Sequence, residues 1–117
     1  MTLDELTARV REFASARDWE QFHTPKNLAM ALAGEVGELL AELQWLTPEE
    51  SARVMADAES AARMRSELAD VTIYLTRLAD VLEVDLIEAA RTKLAESERR
   101  YDVREYRGSA RKAPPLS

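Results

Sequence analysis

Four acidic side chains form two pairs with the same spacing along the chain, Glu35 with Glu38 and Glu67 with Asp70. On a helix, residues three apart lie on one face, so both carboxylates of a pair can reach one small ion. If the two helices are neighbours, the four carboxylates converge, and at ~5 Å with an effective dielectric of ~20 each like-charged pair costs roughly 3 kcal/mol. Hard divalent cations such as Mg²⁺ prefer oxygen ligands and relieve this repulsion. The spacing therefore predicts a candidate magnesium site.

The position of Glu35 bears on whether these acids are more than a charged surface. A single acidic pair at this spacing is usually part of a solvated helix face. Glu35 instead interrupts an apolar stripe between Leu32 and Leu39, which directs it toward the interior of a helical bundle. A carboxylate-bridged di-iron centre needs Glu-x-x-His on two helices, and the sole histidine, His23, does not have that spacing. The residues leave a metal site and a solvated surface as open alternatives.

The helices that would carry these acids are marked by their ends. Glycine and proline are rare, so long stretches contain no helix breaker. Each predicted start has a capping side chain, and these are Thr2, Thr24, Thr47 and Asp85. We predict an all-α antiparallel bundle of four to five helices, over 3–17, 25–46, 48–82 with a break near 57, and 85–106.

Apolar residues repeat at helical spacing within two of these segments. In the third segment the repeat predicts a packing seam made of Met64, Leu68, Val71, Leu75, Leu78 and Leu82. A similar stripe in the second segment consists of Leu28, Leu32, Leu39 and Leu43. Gly34 and Gly37 lie within that second helix, where each costs roughly 0.5 to 1 kcal/mol relative to Ala. We therefore expect another helix or a ligand to approach the two glycines closely.

Composition and charge narrow the class of protein. The 117 residues suffice for one domain, and 46% hydrophobic with 32% charged residues is typical of a soluble globular protein. The first 98 residues hold 10 basic and 20 acidic side chains, which disfavours polymeric nucleic acid as a partner. No uncharged stretch is long enough to cross a bilayer, and there is no cysteine. We expect a cytoplasmic protein that does not bind membranes.

The carboxyl-terminal end has the opposite charge. Residues 99–117 hold six basic and two acidic side chains, which either bind an anionic ligand or the acidic body of a partner, or form a solvated helix end. We predict a helical domain over 1–107 and a flexible tail over 108–117 that contains two prolines and is disordered from residue 110.

Two segments carry a resemblance to a known family. They read NLAMALAGEVGELLAELQW and ELADVTIYL, and they resemble the MazG-like all-α nucleoside triphosphate pyrophosphohydrolases. The segment EFASARDWEQFH and the stretch 85–101 extend the likeness to most of residues 5–101. The resemblance implies a homodimer or homotetramer that binds Mg²⁺, or Mn²⁺ in its place. It also implies hydrolysis of dCTP or modified deoxynucleotides to monophosphate and pyrophosphate.

The same resemblance implies roles for individual residues. The metal ligands would be Glu35, Glu38, Glu67 and Asp70, with Glu38 as the catalytic base that accepts a proton from the attacking water. The implied substrate-binding residues are Trp19, His23, Trp45, Tyr74, Lys93, Ser97, Arg100 and Tyr101, with Lys93 facing the phosphates. For the aromatic side chains, packing within the bundle is the alternative role.

One motif departs from the family pattern. The family usually has an Asn followed by basic residues near the carboxyl-terminal end, whereas this chain has Ser97 and Glu98 before Arg99. A serine hydroxyl does not replace both the donor and the acceptor of an amide. Two alternatives to dCTP hydrolysis stay open. They are a pyrophosphohydrolase for another deoxynucleotide such as dUTP, and a non-catalytic helical oligomerisation or adaptor module whose acid pairs belong to the surface.

Overall fold

The computed structural model describes residues 1–116, and their regular structure is entirely helical. The α-helices in this range are α1 (Leu3–Ala16), α2 (Pro25–Leu43), α3 (Pro48–Ser51), α4 (Ala58–Val81), α5 (Leu86–Arg100) and α6 (Val103–Tyr106). Short 3₁₀ helices at Glu20–Phe22 and Val54–Ala56 precede α2 and α4. The predicted all-α class is confirmed. Within residues 1–116, no helix has both the length and the apolar character needed to span a bilayer.

Side-chain caps determine where the helices begin. Each predicted N-cap accepts a hydrogen bond from the backbone N–H three residues further on, at Thr2, Thr24, Thr47 and Asp85. Thr47 forms a full capping box, because the Glu50 carboxylate also accepts from the Thr47 N–H over 2.9 Å. Pro25 and Pro48 begin α2 and α3, where a missing N–H costs no helical hydrogen bond.

Two further caps interrupt the longer predicted helices. The break expected near 57 is confirmed, since Asp57 accepts from the backbone N–H three residues on and begins α4. The helix predicted over 85–106 is wrong near its end, because Tyr101 leaves helical geometry at φ −108° and ψ 70°. Asp102 then caps the single turn of α6. Short acidic side chains stabilise these interruptions because they bind backbone N–H groups locally.

Residues 1–83 form a compact unit built around α4. α4 packs along α2, and it also packs against α1. Buried side chains of this unit include Ala14, Leu28, Ala61, Met64, Thr76 and Ala79. In α2, Leu28 is buried and the other leucines of the predicted stripe, Leu32, Leu39 and Leu43, are half-buried. The α2–α4 pair therefore provides the frame on which the acidic residues lie.

Three positions of the seam predicted for the third segment are not covered within residues 1–116. Leu68, Leu75 and Leu82 are 49%, 41% and 51% exposed, whereas Thr76 and Arg77 are buried. Of the same repeat, Met64 is buried and Val71 and Leu78 are half-buried, so the repeat is only partly covered. A helical repeat identifies an apolar face but not the helix that covers it. The exposed leucines leave apolar surface on this unit.

A second compact unit begins at Val84 and contains α5 and α6. The Tyr101 and Tyr106 rings pack edge to face with their centroids 5.1 Å apart. The Arg111 guanidinium lies 4.5 Å from the centroid of the Tyr106 ring. These contacts bury Tyr106, which is 8% exposed.

The segment predicted to be a flexible tail makes defined contacts with α5. Arg100 donates to the carbonyl oxygens of Ala113 and Pro114 over 2.7 and 3.2 Å, and Ala113 is 3% exposed. The domain boundary between 107 and 108 stays a prediction. Ser117, the last residue of that tail, lies outside the described residues.

Candidate metal centre

The two acid pairs meet between α2 and α4. Glu35 and Glu38 belong to α2, and Glu67 and Asp70 belong to α4. One carboxylate oxygen from each residue can be chosen so that all four oxygens lie within 4.8 Å of one another. We call these four residues the acid quartet. The convergence that their spacing predicted is therefore present in the fold.

Two oxygens of the acid quartet are buried without a hydrogen-bond donor. They are Oε2 of Glu35 and Oε2 of Glu67, and neither has a partner within residues 1–116. Folded proteins rarely leave such atoms unpaired, because a buried acceptor loses its water without compensation. A cation bound by the quartet would compensate both oxygens, so these residues fit a metal ion.

The pKa values of Glu35 and Glu67 also indicate uncompensated charge. Loss of solvation is the main cause that raises the pKa of Glu35, and the charge of Glu38 raises it further. Loss of solvation likewise raises the pKa of Glu67, again with Glu38 as the main charged neighbour. Four carboxylate groups suit Mg²⁺, which takes a few such oxygens and keeps several waters.

An ion pair absent from the sequence analysis lies one turn beyond the quartet. Arg63 Nε on α4 donates to Glu42 Oε2 on α2 over 3.0 Å. Glu42 follows Glu38 by one turn, whereas Arg63 precedes Glu67 by one turn, so the two helices run antiparallel. In the sequence, the four-residue spacing between Glu38 and Glu42 indicates that both acids lie on the same face of α2.

A hydrogen-bonded network that the sequence analysis also missed joins α4 to the segment before α2. The Arg77 side chain, 8% exposed, donates from Nε to His23 Nδ1 and from Nη1 to Asp80 Oδ2, each over 3.0 Å. Arg11 on α1 donates to both Asp80 oxygens, over 2.9 and 2.6 Å. We call these four residues the arginine network. Its signal in the sequence was a basic residue among apolar positions with an acid three residues later.

The arginine network shifts the protonation of two of its members. Burial is the main cause that lowers the pKa of His23, and the charge of Arg77 lowers it further. The hydrogen bond from Arg11 is the main cause that lowers the pKa of Asp80. At neutral pH the network therefore contains a neutral imidazole and an ionised carboxylate.

The predicted substrate-binding residues of the first unit have different surroundings. Tyr74 is half-buried on α4, one turn after Asp70. The Trp19 ring is edge-on to Phe13 and to His23, with centroids 5.5 and 6.3 Å apart. Trp45 follows α2 and is 87% exposed. Their roles toward a substrate stay predictions.

The other predicted substrate-binding residues, Lys93, Ser97, Arg100 and Tyr101, belong to the second unit. Lys93 Nζ is 3.1 Å from Glu96 Oε2 on the same helix. The Ser97 carbonyl accepts from the Tyr101 N–H over 2.8 Å. The Arg100 guanidinium is engaged by backbone carbonyls of the tail. Their roles toward a substrate also stay predictions.

Comparison with known proteins places the acid quartet inside a matched region. Residues 31–114 match the profile of the MazG-like family. The chain is 45% identical to dCTP pyrophosphatase 1 of Bos taurus and 44% identical to dCTP pyrophosphatase 1 of Homo sapiens. Each alignment covers 98% of this chain and 68% of the relative. The fold is similar to the crystal structure of a pyrophosphatase from Archaeoglobus fulgidus, with a TM-score of 0.78 and 41% identity. That match covers 85% of this chain and 91% of the other.

Proposed function

Because the chain belongs to the MazG-like family, we propose that it is a hydrolase that cleaves dCTP or a modified deoxynucleotide between the α and β phosphates. Water adds to the α-phosphorus as the bond to the α–β bridging oxygen breaks, giving a deoxynucleoside monophosphate and pyrophosphate. The observation that carries the proposal is the acid quartet with its two unpartnered buried oxygens. Relatives named dCTP pyrophosphatase 1 support the choice of dCTP.

The acid quartet requires a cation before it accepts a triphosphate. We propose Glu35, Glu38, Glu67 and Asp70 as ligands of Mg²⁺, with Mn²⁺ as a substitute. When bound, the metal supplies positive charge to the phosphates and lowers the pKa of its water. The carboxylates hold the cation, and their own charge keeps a free triphosphate away from the site.

Glu38 is the residue of the quartet that we propose as the general base. It is exposed, whereas Glu35, Glu67 and Asp70 are half-buried. An exposed carboxylate is accessible to an attacking water and can pass the proton that it accepts to solvent. General bases contribute about 100-fold or more to the rate of such reactions.

The aromatic residues of the first unit are proposed to select the nucleoside. Tyr74 continues the face of α4 that carries Glu67 and Asp70, so its ring is placed to pack on the deoxyribose. A ribose hydroxyl against that ring would lose its water without gaining a partner, which favours 2′-deoxy substrates. Trp19, His23 and Trp45 are proposed to contact the base. Lys93, Ser97, Arg100 and Tyr101 of the second unit are proposed to bind the phosphates and the base.

We further propose that the chain acts in the cytoplasm as a homodimer or homotetramer. Leu68 and Leu75 on α4, and Leu82 directly after it, present exposed apolar surface. An apolar groove of about 270 Å³ in the first unit adds to this surface, lined by Met1, Leu6, Arg9, Val10, Phe13 and Ile73. A second copy of the chain would cover such surface, as apolar patches commonly mark subunit contacts. The absence of cysteine fits a reducing compartment.

Pyrophosphate release tests the proposed reaction. The wild type should release pyrophosphate from dCTP only with Mg²⁺ or Mn²⁺, and Glu38→Gln should lower the rate about 100-fold or more. Glu12→Gln removes an exposed carboxylate from α1 and serves as the matched control. Release from dUTP in preference to dCTP would support the alternative substrate. No release from any nucleotide by a folded oligomer would support the adaptor alternative.

A further inference from the structure

We propose that Arg77 is a positioning residue that ties the start of α2 to α4 through His23 and so holds the two acid pairs at the separation that metal binding requires. The proposal rests on the proposed function, since it concerns the geometry of the same metal centre. The structural basis is the part-buried hydrogen bond from Arg77 Nε to His23 Nδ1, 3.0 Å long. Arg77 acts through His23 and the two helices, not by touching a substrate.

The contact lies where it can set the spacing of the helices. His23 directly precedes Thr24, the N-cap of α2, and Arg77 lies in the last turns of α4. At the opposite end of the same helix pair, Arg63 binds Glu42. The acid quartet lies between these two cross-links along both helices. The cross-link through Arg77 is part-buried, whereas the one through Arg63 is exposed.

The hydrogen bonds of Arg77 restrict its guanidinium to one orientation. Nη1 donates to Asp80 Oδ2, and Arg11 from α1 binds the same carboxylate with two further hydrogen bonds. Paired hydrogen bonds from a planar guanidinium fix direction as well as distance. The network therefore extends from α1 through α4 to the start of α2, and Arg77 Nε is directed at the imidazole.

The contact also specifies the tautomer of the neutral His23 imidazole. Arginine stays protonated and only donates, so His23 Nδ1 must accept and the single ring proton belongs on Nε2. Protonation of Nδ1 would place two donors against each other and break the contact. The charged groups that act on the ring are Glu20 on its own turn and Arg77 from α4. Asp80 and Arg11 connect to the imidazole through Arg77. Burial and Arg77 lower the pKa of His23, which keeps the contact intact at neutral pH.

Nuclear magnetic resonance of ¹⁵N-histidine tests the contact directly, because His23 is the only histidine in the chain. The wild type at pH 8 should show an unprotonated Nδ1 and a protonated Nε2. Arg77→Met should raise the pH at which the ring titrates, because the nearby positive charge and the donor to Nδ1 are both removed. A proton on Nδ1 in the wild type at pH 8 would overturn the proposal.

Mn²⁺ affinity tests the positioning role, measured by calorimetry at pH 8 without nucleotide so that contacts of His23 with a substrate play no part. His23→Leu and Arg77→Met should each weaken Mn²⁺ binding about tenfold, the size typical of residues that support metal ligands. His23→Asn keeps an acceptor oxygen near the place of Nδ1 and should bind within about twofold of the wild type. Arg91→Met, at a 73% exposed side chain of α5, is the control and should bind as the wild type does.

The outcomes separate this proposal from the proposed function. If the wild type binds Mn²⁺ and hydrolyses dCTP, and folded His23→Leu binds Mn²⁺ equally well, the positioning role is wrong and the function stands. If the wild type binds no Mn²⁺, the proposed function and the positioning role both fail. This holds even if nuclear magnetic resonance finds the His23 proton on Nε2. If Arg77→Met does not fold, the comparison of His23→Leu with His23→Asn decides.

Discussion

Arg63 joins α4 to α2 and Arg77 joins α4 to the segment just before α2, yet the Arg63 side chain is 53% exposed and the Arg77 side chain is 8% exposed. They lie 14 residues apart on one helix, with the α4 acid pair between them. Water screens the exposed contact more strongly than the part-buried one. The two contacts have similar lengths, but we expect them to contribute different amounts to the free energy of unfolding.

Asp80→Ala should lower the free energy of unfolding by ~3 kcal/mol, because it leaves the buried Arg77 guanidinium without its carboxylate. Glu42→Ala removes the carboxylate partner of the exposed Arg63 and should leave the stability close to that of the wild type. Urea denaturation of both variants measures the difference. Equal losses would mean that burial does not distinguish the two ion pairs.

Glu67→Gln should stabilise the metal-free chain at neutral pH. The folded-state pKa of Glu67 is raised. Its favourable contribution to the free energy of unfolding is therefore complete below the ordinary pKa of 4.5, and it is lost as pH rises through the raised pKa. A neutral amide avoids that loss. Mg²⁺ should reverse the order, because at 100 times its dissociation constant it stabilises the wild type by ~2.7 kcal/mol and cannot do so without its ligand.

Urea denaturation with chelator and with Mg²⁺ checks the prediction for Glu67→Gln, and Glu12→Gln is the control for removing an exposed carboxylate. A variant less stable than the wild type in chelator would show that the quartet carries no strain of like charge.

His23 should make the wild type lose stability on mild acidification. The folded-state pKa of His23 is lowered. Its contribution to the free energy of unfolding is therefore fully present above the ordinary pKa of 6.5, and it is lost as pH falls from there through the lowered pKa. His23→Asn does not titrate and should lack this part of the pH dependence. The measurement is the difference between the two proteins in unfolding free energy at pH 8 and at pH 5.5. A difference that does not change with pH would contradict the prediction.

Gly34→Ala should raise the free energy of unfolding of the isolated chain by ~0.5 to 1 kcal/mol. Gly34 lies within α2, and a Cβ there would have no described atom within 4 Å. Gly108→Ala is the matched control and should destabilise, because Gly108 has φ +76°, which alanine adopts at a cost. Thermal unfolding of both variants tests the prediction, and destabilisation by Gly34→Ala would show that a group approaches α2 there.

Local signals in the sequence predicted the elements well. Thr47 with Glu50 forms the expected capping box, and the break near 57 follows from the capping side chain of Asp57. The convergence of the acid quartet followed from a three-residue spacing on two helices that turned out to be neighbours. In each case the decisive residues lie within one or two helical turns of each other, or repeat the same short pattern.

Contacts between distant residues were not predictable in the same way. His23 and Arg77 are 54 positions apart, and neither neighbourhood in the sequence specifies the other. The burial of Arg77 and the exposure of Leu75 both depend on which side of α4 the other helices cover. A hydrophobic repeat carries no information on that choice, because several helix faces can satisfy the same pattern.

The uncompensated charge of the acid quartet also implies that a cation must bind before, or together with, the nucleotide. A triphosphate carries about four negative charges at neutral pH, so the bare nucleotide and the metal-free site repel each other. A nucleotide can therefore bind productively either as its metal complex or to a protein that already holds the metal ion. Reaction velocity should therefore follow the concentration of the metal–nucleotide complex, and an excess of metal-free dCTP should slow turnover by withdrawing cation from the protein.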